Sequence, residues 1–415
     1  VTSVLIVEPV SSGNELVVRA AAMGWNTVVA SFDAEDRTLT AATKDLASTL
    51  VQVDTNDVHA IVEAVSRSPV GAGLDGVVAG SEFHVEIAAQ VAEKLGLPGL
   101  TTTDVALVRN KAKMREALQR AGVRSPRHRE VASRAEAELA CAALTFPVVV
   151  KPVESSSSIH VLKARDTAEA VRAYAAIEAD GMIDLGRPLG DEVVIEEYVS
   201  GDEYSADGYV WRGEVRIAAV TRKLLGPEPT FVELGHITPA PLGPNDLGAI
   251  ERYVGQVVRA VGLENSVFHC EMRLSANGPV LMEIAARLPG DQIVHLVADA
   301  TGVSMADAAL LMAVGANPET CLDEHAAFGG AAGIRFVDPG SITAYTRIEG
   351  WDDVPRYADV VEQKVLVPAG EQIPSTYEAL RRVAYIRYRA SDPDTALAVN
   401  ERLGRELRPV AAYLS

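Results

Sequence analysis

VFHCEMRL (267–274), SANG (275–278) and PVLMEIAAR (279–287) read together as a β-hairpin that sets two carboxylates against each other. Side chains alternate between the faces of a strand. A three-residue loop ending at Gly278 is a common hairpin closure, and with it Glu271 stands opposite Glu283. Phe268, Cys270, Met272, Leu274, Val280, Met282 and Ile284 then form one apolar face, while His269, Glu271, Arg273, Glu283 and Arg287 share the other. A two-residue Asn-Gly turn would place the glutamates on opposite faces and break the apolar stripe. Like charges directly opposite on a sheet repel, so the first register requires cations between the carboxylates. Hard oxygen ligands suit magnesium or manganese. Neutralisation by Arg273 and Arg287 on a solvated face is the other reading.

The chain has 415 residues, more than one typical core accommodates, which points to two or three domains. With 48% apolar and 23% charged residues it is an ordinary globular composition. A net charge of -19 excludes a general nucleic-acid or anionic-membrane binder but leaves room for a local basic pocket. Cys141, Cys270 and Cys321 are far apart in sequence, so neither a disulfide framework nor a cysteine zinc site is indicated. The N-terminal VTSVLIVEP lacks a basic flank, and no apolar run reaches membrane-spanning length. The expectation is a cytoplasmic protein with no membrane partner.

Along the first hundred residues, short apolar runs at 4–7, 27–31 and 76–80 alternate with helical patterns at about 15–23 and 58–66. This predicts an α/β, doubly wound parallel sheet with a ligand crevice beyond its strand C-termini. The loop Glu8–Gly13 lacks GxGxxG, so it carries no dinucleotide fingerprint. Ser81 and Glu82 hold an equivalent position, where Ser81 would cap a helix. LGLPG (95–99) marks a boundary, and one helical pattern runs from about 103 to 122. FPVVVKP (146–152) is a buried strand with one lysine. ESSSS (154–158) is either a phosphate-holding loop or a solvated hairpin tip, and SIHVLKA (158–164) resumes as a strand. VVIEEYVSGDEYSADGYV (193–210) gives two strands about a turn at Ser200-Gly201. His236 in FVELGHITPAP (231–241) sits among apolar and proline residues, where a lone histidine is usually structural. From about 326 onward the pattern is a small α+β unit of short strands and two helices, one of them at about 395–406.

Five of these motifs, in this order, resemble the ATP-grasp superfamily: Lys111 opening a helix, Lys151 ending a buried strand, the small-residue loop Glu154–Ser158, Glu196-Glu197-Tyr198-Val199 followed by Gly201-Asp202-Glu203, and the pair Glu271 and Glu283. The resemblance implies an N-terminal doubly wound domain over 1–100 and an ATP-grasp domain over 101–325, with a small nucleotide subdomain at about 125–200. A lid-like α+β domain over 326–415, similar to that of biotin carboxylases, completes the chain. It implies that Lys111 and Lys151 contact ATP phosphates and that Ser155, Ser156, Ser157 and Ser158 close over them. Glu196, Glu197 and Val199 would meet the adenine edge, through the backbone of the last two, and Glu203 would accept the ribose hydroxyls. Glu271 and Glu283 would bridge two Mg2+ ions, with Mn2+ as an alternative.

The run EIAAR (283–287) is similar to the L-amino acid ligase branch, in which an arginine at the Arg287 position steadies the acyl phosphate. Many superfamily members carry an asparagine two residues after the second metal glutamate, but here that position is Ala285. Glu154 also stands where a small residue is usual. The implied activity is an ATP-dependent carboxylate–amine ligase that joins a small carboxylate and an amine through an acyl phosphate, with His236 on the substrate side. A carboxylase-like enzyme that activates bicarbonate, or a nucleotide-binding regulatory protein without catalysis, are the alternatives. A homodimer is the commonest closed assembly for such a chain.

Overall fold

The computed structural model describes residues 1–68, 73–100, 102–155, 158–188, 190, 192–319, 329–373 and 381–412. Ser156, Ser157 and Cys321 therefore lie outside the described residues. β1 (Ser3–Val7), β2 (Asn26–Ser31), β3 (Thr49–Gln52) and β4 (Gly76–Ala79) form a parallel sheet in the order β3-β2-β1-β4. Val4 and Ile6 of β1 pack with Leu16 and Val17 of the helix Asn14–Ala22, and Leu5 and Val7 pack with Ile61, Val65 and Val91 on the other face. Both faces are covered, which is why β1 reads as an unbroken apolar run. β3 and the helix Ala41–Leu46 have no such signature, because β3 is a short edge strand with no buried residue, alternating between half-buried and exposed. At the C-terminal edge, the loops after β1 and β4 touch so closely that a Cβ on Gly13 would lie 1.9 Å from Gly80 O.

The helical pattern at 103–122 is two helices, Thr102–Arg109 and Lys111–Arg120. Asn110 breaks it by capping the second helix, accepting from Lys113 N–H at 2.9 Å. β5 (His128–Val131), β6 (Val148–Pro152), β7 (Leu162–Ala164) and β10 (Val193–Glu197) form a small antiparallel sheet in the order β5-β10-β6-β7, and a hairpin of β8 (Ile183–Asp184) and β9 (Arg187–Pro188) precedes β10. β7 starts four residues later than the sequence suggests, because Ser158 and His160 take positive φ and turn the chain first.

β11 (Asp202–Trp211), β12 (Glu214–Leu225), β13 (Glu233–Thr238), β14 (Ser266–Ser275), β15 (Gly278–Ala285), β16 (Ala331–Val337), β18 (Asp359–Val365) and β19 (Ala384–Ala390) build one sheet in the order β15-β14-β11-β12-β13-β16-β19-β18. β17 (Tyr345–Glu349) pairs separately with β20 (Arg408–Ala411). The large sheet joins strands from both sides of the boundary expected near 326, since β13 pairs with β16. In the C-terminal segment the helix at Pro393–Glu406 is present, and the other described helical piece is a short 3-10 turn, Trp351–Arg356.

The β14–β15 hairpin reaches the expected pairing by another route. Its turn is the two residues Ala276 and Asn277, with Ser275 opposite Gly278. That register alone would bring Met282 to Glu271. A β-bulge beside Glu271 leaves Met282 unpaired, and Glu271 pairs with Glu283. The bulge also redistributes the apolar face: Phe268, Cys270 and Met272 pack with Leu281 and Ile284 against the helix Pro244–Ala260, whereas Met282 lines a pocket. Tyr253 on that helix accepts the Leu281 N–H at 2.7 Å and donates to Arg124 C=O at 2.5 Å.

Candidate active site

One pocket lies among the N-terminal sheet, the small sheet and the large sheet. Lys111, Lys151, Ser155, Ser158, Glu196, Glu197, Val199 and Glu203 line it, as do Glu271, Glu283 and Arg287. Residues separated by more than 170 positions in sequence thus face one space. His236 is wholly buried and stands behind the lining residues Glu233 and Asp291. Glu154 is exposed and is not among the lining residues.

Lys151 comes from the end of β6, where β10 runs antiparallel beside it and brings up Glu196. Lys151 Nζ lies 2.6 Å from Glu196 Oε1, and Arg115 Nε lies 3.1 Å from Oε2. Burial alone would raise the Glu196 carboxyl, but Arg115 and Lys151 outweigh it and hold it at about 2. Burial pulls the Lys151 ammonium down, and Glu196 offsets part of that. The Glu196 side chain thus anchors Lys151, and only backbone groups of this segment remain for a planar ligand edge. The Glu197 N–H donates to Arg127 C=O and the Val199 C=O accepts from Arg273, which leaves the Val199 N–H without a partner among the described residues. Lys111 Nζ donates to Ser155 C=O at 3.1 Å and lies 3.3 Å from Glu283 Oε2.

The opposed carboxylates are neutralised by lysines and a histidine rather than by the hairpin's own arginines. Lys223 of β12 contacts Glu271, Glu203 at 3.2 Å and Glu233 at 2.8 Å. His269 Nε2 lies 3.0 Å from Glu271, and its Nδ1 lies 2.6 Å from Asp207. Although burial opposes ionisation of both groups, Asp207 and Glu271 push His269 up to about 9, and Lys223 with His269 hold Glu271 well below the usual carboxylate range. Arg273 turns to Glu203 at 3.1 Å, and Arg287 turns to Glu82 through Nε. Arg109 holds the second oxygen of Glu82, so despite burial the Arg287 and Arg109 charges keep that carboxyl at about 2. Arg287 NH1 donates to Leu288 C=O at 2.8 Å. The guanidinium plane is fixed through Nε and NH1, and its NH2 has no hydrogen bond among the described residues.

Two facing carboxylates from adjacent strands, offering only oxygen in a pocket that also holds lysines, fit a divalent cation with oxygen ligands. The position two residues after Glu283 is Ala285, which lines the pocket without an oxygen donor. Ser81 stands at the N-cap position of the 3-10 turn Glu82–His84, but its hydroxyl meets His84 Nδ1 at 2.7 Å instead of a backbone N–H. Lys223, Asp207, Arg109, Asp291 and Arg382 are pocket or supporting residues that no motif marked. Their only sequence signal is a charge inside or beside an apolar run.

Residues 144–295 match the family model of the ATP-grasp domain, and residues 17–99 match that of the ATP-grasp N-terminal domain. The chain is 30% identical over 262 residues to alanine–anticapsin ligase of Bacillus subtilis, covering 59% of this chain and 55% of that protein. It is 28% identical over 239 residues to dapdiamide A synthase of Enterobacter agglomerans, covering 56% and 54%. The chain therefore spans about half the length of these ligases. The crystal structure of an L-amino acid ligase from Bacillus licheniformis superposes with a TM-score of 0.83 at 22% identity, over 100% of this chain and 99% of that one. Among the described residues no single helix is long and apolar enough to cross a membrane. ATP-grasp domain and ATP-grasp N-terminal domain occupy successive parts of the chain, and the whole fold follows that of a ligase of this kind: the chain belongs to the ATP-grasp superfamily.

Proposed function

We propose that the chain is an ATP-dependent ligase that joins a small carboxylate, such as an amino acid, to an amine. The observation that carries the reading is the convergence of Lys111, Lys151, the Glu271–Glu283 pair and the fixed Arg287 on one pocket. The similarity to alanine–anticapsin ligase and dapdiamide A synthase supports it.

Lys111 and Lys151 bind the phosphates of ATP, the Val199 N–H meets the adenine edge, and Glu203 accepts the ribose hydroxyls. Glu271 and Glu283 would hold two magnesium ions, whose charge would offset that of the triphosphate. A substrate carboxylate oxygen attacks the γ-phosphorus, ADP leaves, and an acyl phosphate forms. The amine nitrogen then attacks the acyl carbon, the C–O bond to phosphate breaks, and the nitrogen releases a proton as the amide forms. These steps need placement and charge stabilisation more than covalent help from the protein. Arg287 suits the oxyanion, because Glu82 and Leu288 C=O fix its plane before substrate arrives. Ser155 and Ser158 line the pocket, which supports a part for them in keeping water from the acyl phosphate. His236 supports the substrate side through Glu233 and Asp291.

The test is ADP release with magnesium and ATP across amino acids and small carboxylic acids, singly and in pairs, with product masses recorded. The expected result is turnover that needs a pair and yields the sum of the two masses less water. ADP release that needs only bicarbonate would reject the reading.

A further inference from the structure

We propose that a second cleft, between the N-terminal sheet and the large sheet, is an effector site for a small amphipathic carboxylic acid and is coupled to the ligase pocket through Leu288. Its walls come from β4 and the helix Val85–Leu95, from the helix Met305–Ala313, and from the ends of β11, β14 and β15. Of the residues that line it, Arg287 alone also lines the ligase pocket.

The cleft follows from side-chain size. Where β4 meets the helix Met305–Ala313 the backbones nearly touch, since a Cβ on Gly76 would lie 2.1 Å from Ala313 O. Beside that contact Ala79, Ala88, Ala89, Ala286, Ala309 and Ala313 face one another across a space they are too short to fill. The resulting volume is about 380 Å3. Voids of this size are rare in close-packed interiors. An apolar cavity of about 150 Å3 already binds benzene, so this one has room for an apolar body of two rings or about eight carbons. Ligand sites also favour the junctions between domains.

The rim selects the head group. The floor residues Val85, Val267, Leu288 and Met312 are buried, whereas Arg212 and Asn265 at the rim are exposed. The Arg212 guanidinium lies 5.2 Å from the centre of the Trp211 ring and has no carboxylate partner among the described residues. Asn265 Oδ1 accepts the Arg212 N–H at 3.0 Å, which turns its NH2 group to the outside. No acidic residue lines the cleft, although the chain carries a net charge of -19. Two donors above an apolar floor match a carboxylate on an apolar body.

The coupling rests on the ligase reading. Leu288 lines the cleft with its side chain, and its C=O accepts from Arg287 NH1 at 2.8 Å. An occupant packed on Ala286 and Leu288 restrains the segment that fixes the Arg287 plane, so occupancy raises kcat and leaves the KM for ATP unmoved.

Calorimetric titration of the full chain with octanoate, without ATP, should show one site, with octanol about 5-fold weaker and acetate not bound. Arg212→Gln should reduce octanoate to the affinity of octanol. Ala88→Leu fills part of the cleft and should weaken both on the order of 10-fold or more. If that variant fails to fold by circular dichroism, Ala309→Leu decides. No saturable octanoate binding, equal affinity for octanoate and octanol, or affinity that survives the added leucine would overturn the site. These readouts need neither ATP nor turnover, so they stand apart from the ligase proposal. In the ADP-release assay octanoate should raise wild-type kcat about 5-fold and leave Ala88→Leu unchanged. Binding without that rise would overturn the coupling.

Discussion

Glu196→Gln keeps the shape of the side chain and removes the one negative charge shared by two buried cations, Arg115 at 0% and Lys151 at 5% exposure. Two estimates of its effect agree. Removing one partner of a buried ion pair typically costs about 3–5 kcal/mol. A carboxyl held at about 2 instead of the ordinary 4.5 corresponds to about 3 kcal/mol of stabilisation at neutral pH. Because the folded-state value is depressed, this stabilisation is complete above about 4.5 and fades as pH falls towards about 2. Urea unfolding of wild type and variant, followed by tryptophan fluorescence, should therefore show a gap of about 3 kcal/mol that is constant between about pH 7 and 5 and narrows below it. The variant should also show a higher KM for ATP, because Lys151 loses its anchor. A gap under about 1 kcal/mol at neutral pH, or one that ignores acidification, would refute the assignment of Glu196 as the charge that holds Lys151.

Glu283→Gln should lower kcat by on the order of 100-fold or more even in saturating magnesium, measured as ADP release; near-normal turnover would remove the metal assignment. Arg287→Lys should lose the chemical step and retain ATP affinity, since a lysine cannot be held in plane by Glu82 and Leu288; calorimetric ATP titration beside single-turnover kinetics separates the two. Tyr253→Phe leaves the buried Leu281 N–H without its acceptor and should destabilise the chain by about 1–3 kcal/mol in denaturant unfolding. In Gly201→Ala the new Cβ would lie 2.2 Å from Leu274 O at a φ of +131°, so a loss of about 2–4 kcal/mol is expected, and a neutral result would mean the turn before β11 is not held as described.

The parts of the fold legible in the sequence are those where burial is one-sided or total. β1, β2 and β4 of the N-terminal sheet have apolar centres and are easily seen, whereas β3 alternates in burial and is short. The helix break at Asn110 is written in a capping side chain rather than in periodicity, and so the pattern reads through it. Within the site, the residues expected to touch ATP, metal or substrate line the pocket, apart from His236 and the undescribed Ser156 and Ser157, while Glu154 of the same loop stays outside it. What escaped notice are the counter-charges. Lys223 lies on β12, 48 residues from the Glu271 it contacts, and Glu82 lies 205 residues from Arg287. The first pair is fixed by strand order, β12 beside β11 beside β14, and the second by a turn of the N-terminal segment, Glu82–His84, meeting the hairpin's end; local spacing encodes neither. The bulge hides for the same reason: an unpaired Met282 looks like any other strand residue until its neighbour's register is known.

The unpaired Met282 ties the length of the β14–β15 tip to the identity of the pocket floor. One residue added between Ala276 and Asn277 would supply at the exposed tip the offset that the bulge now supplies beside the carboxylates. The ladder could then run straight, with Glu271 still facing Glu283, but Met282 would rejoin the apolar face. Arg115 now takes the Met282 carbonyl at 2.6 Å, and Tyr253 takes the Leu281 N–H; both would need new partners. An insertion at this tip is therefore not the silent surface event that loop changes usually are, and a lengthened tip should be tolerated best when the residues at 115 and 253 change with it.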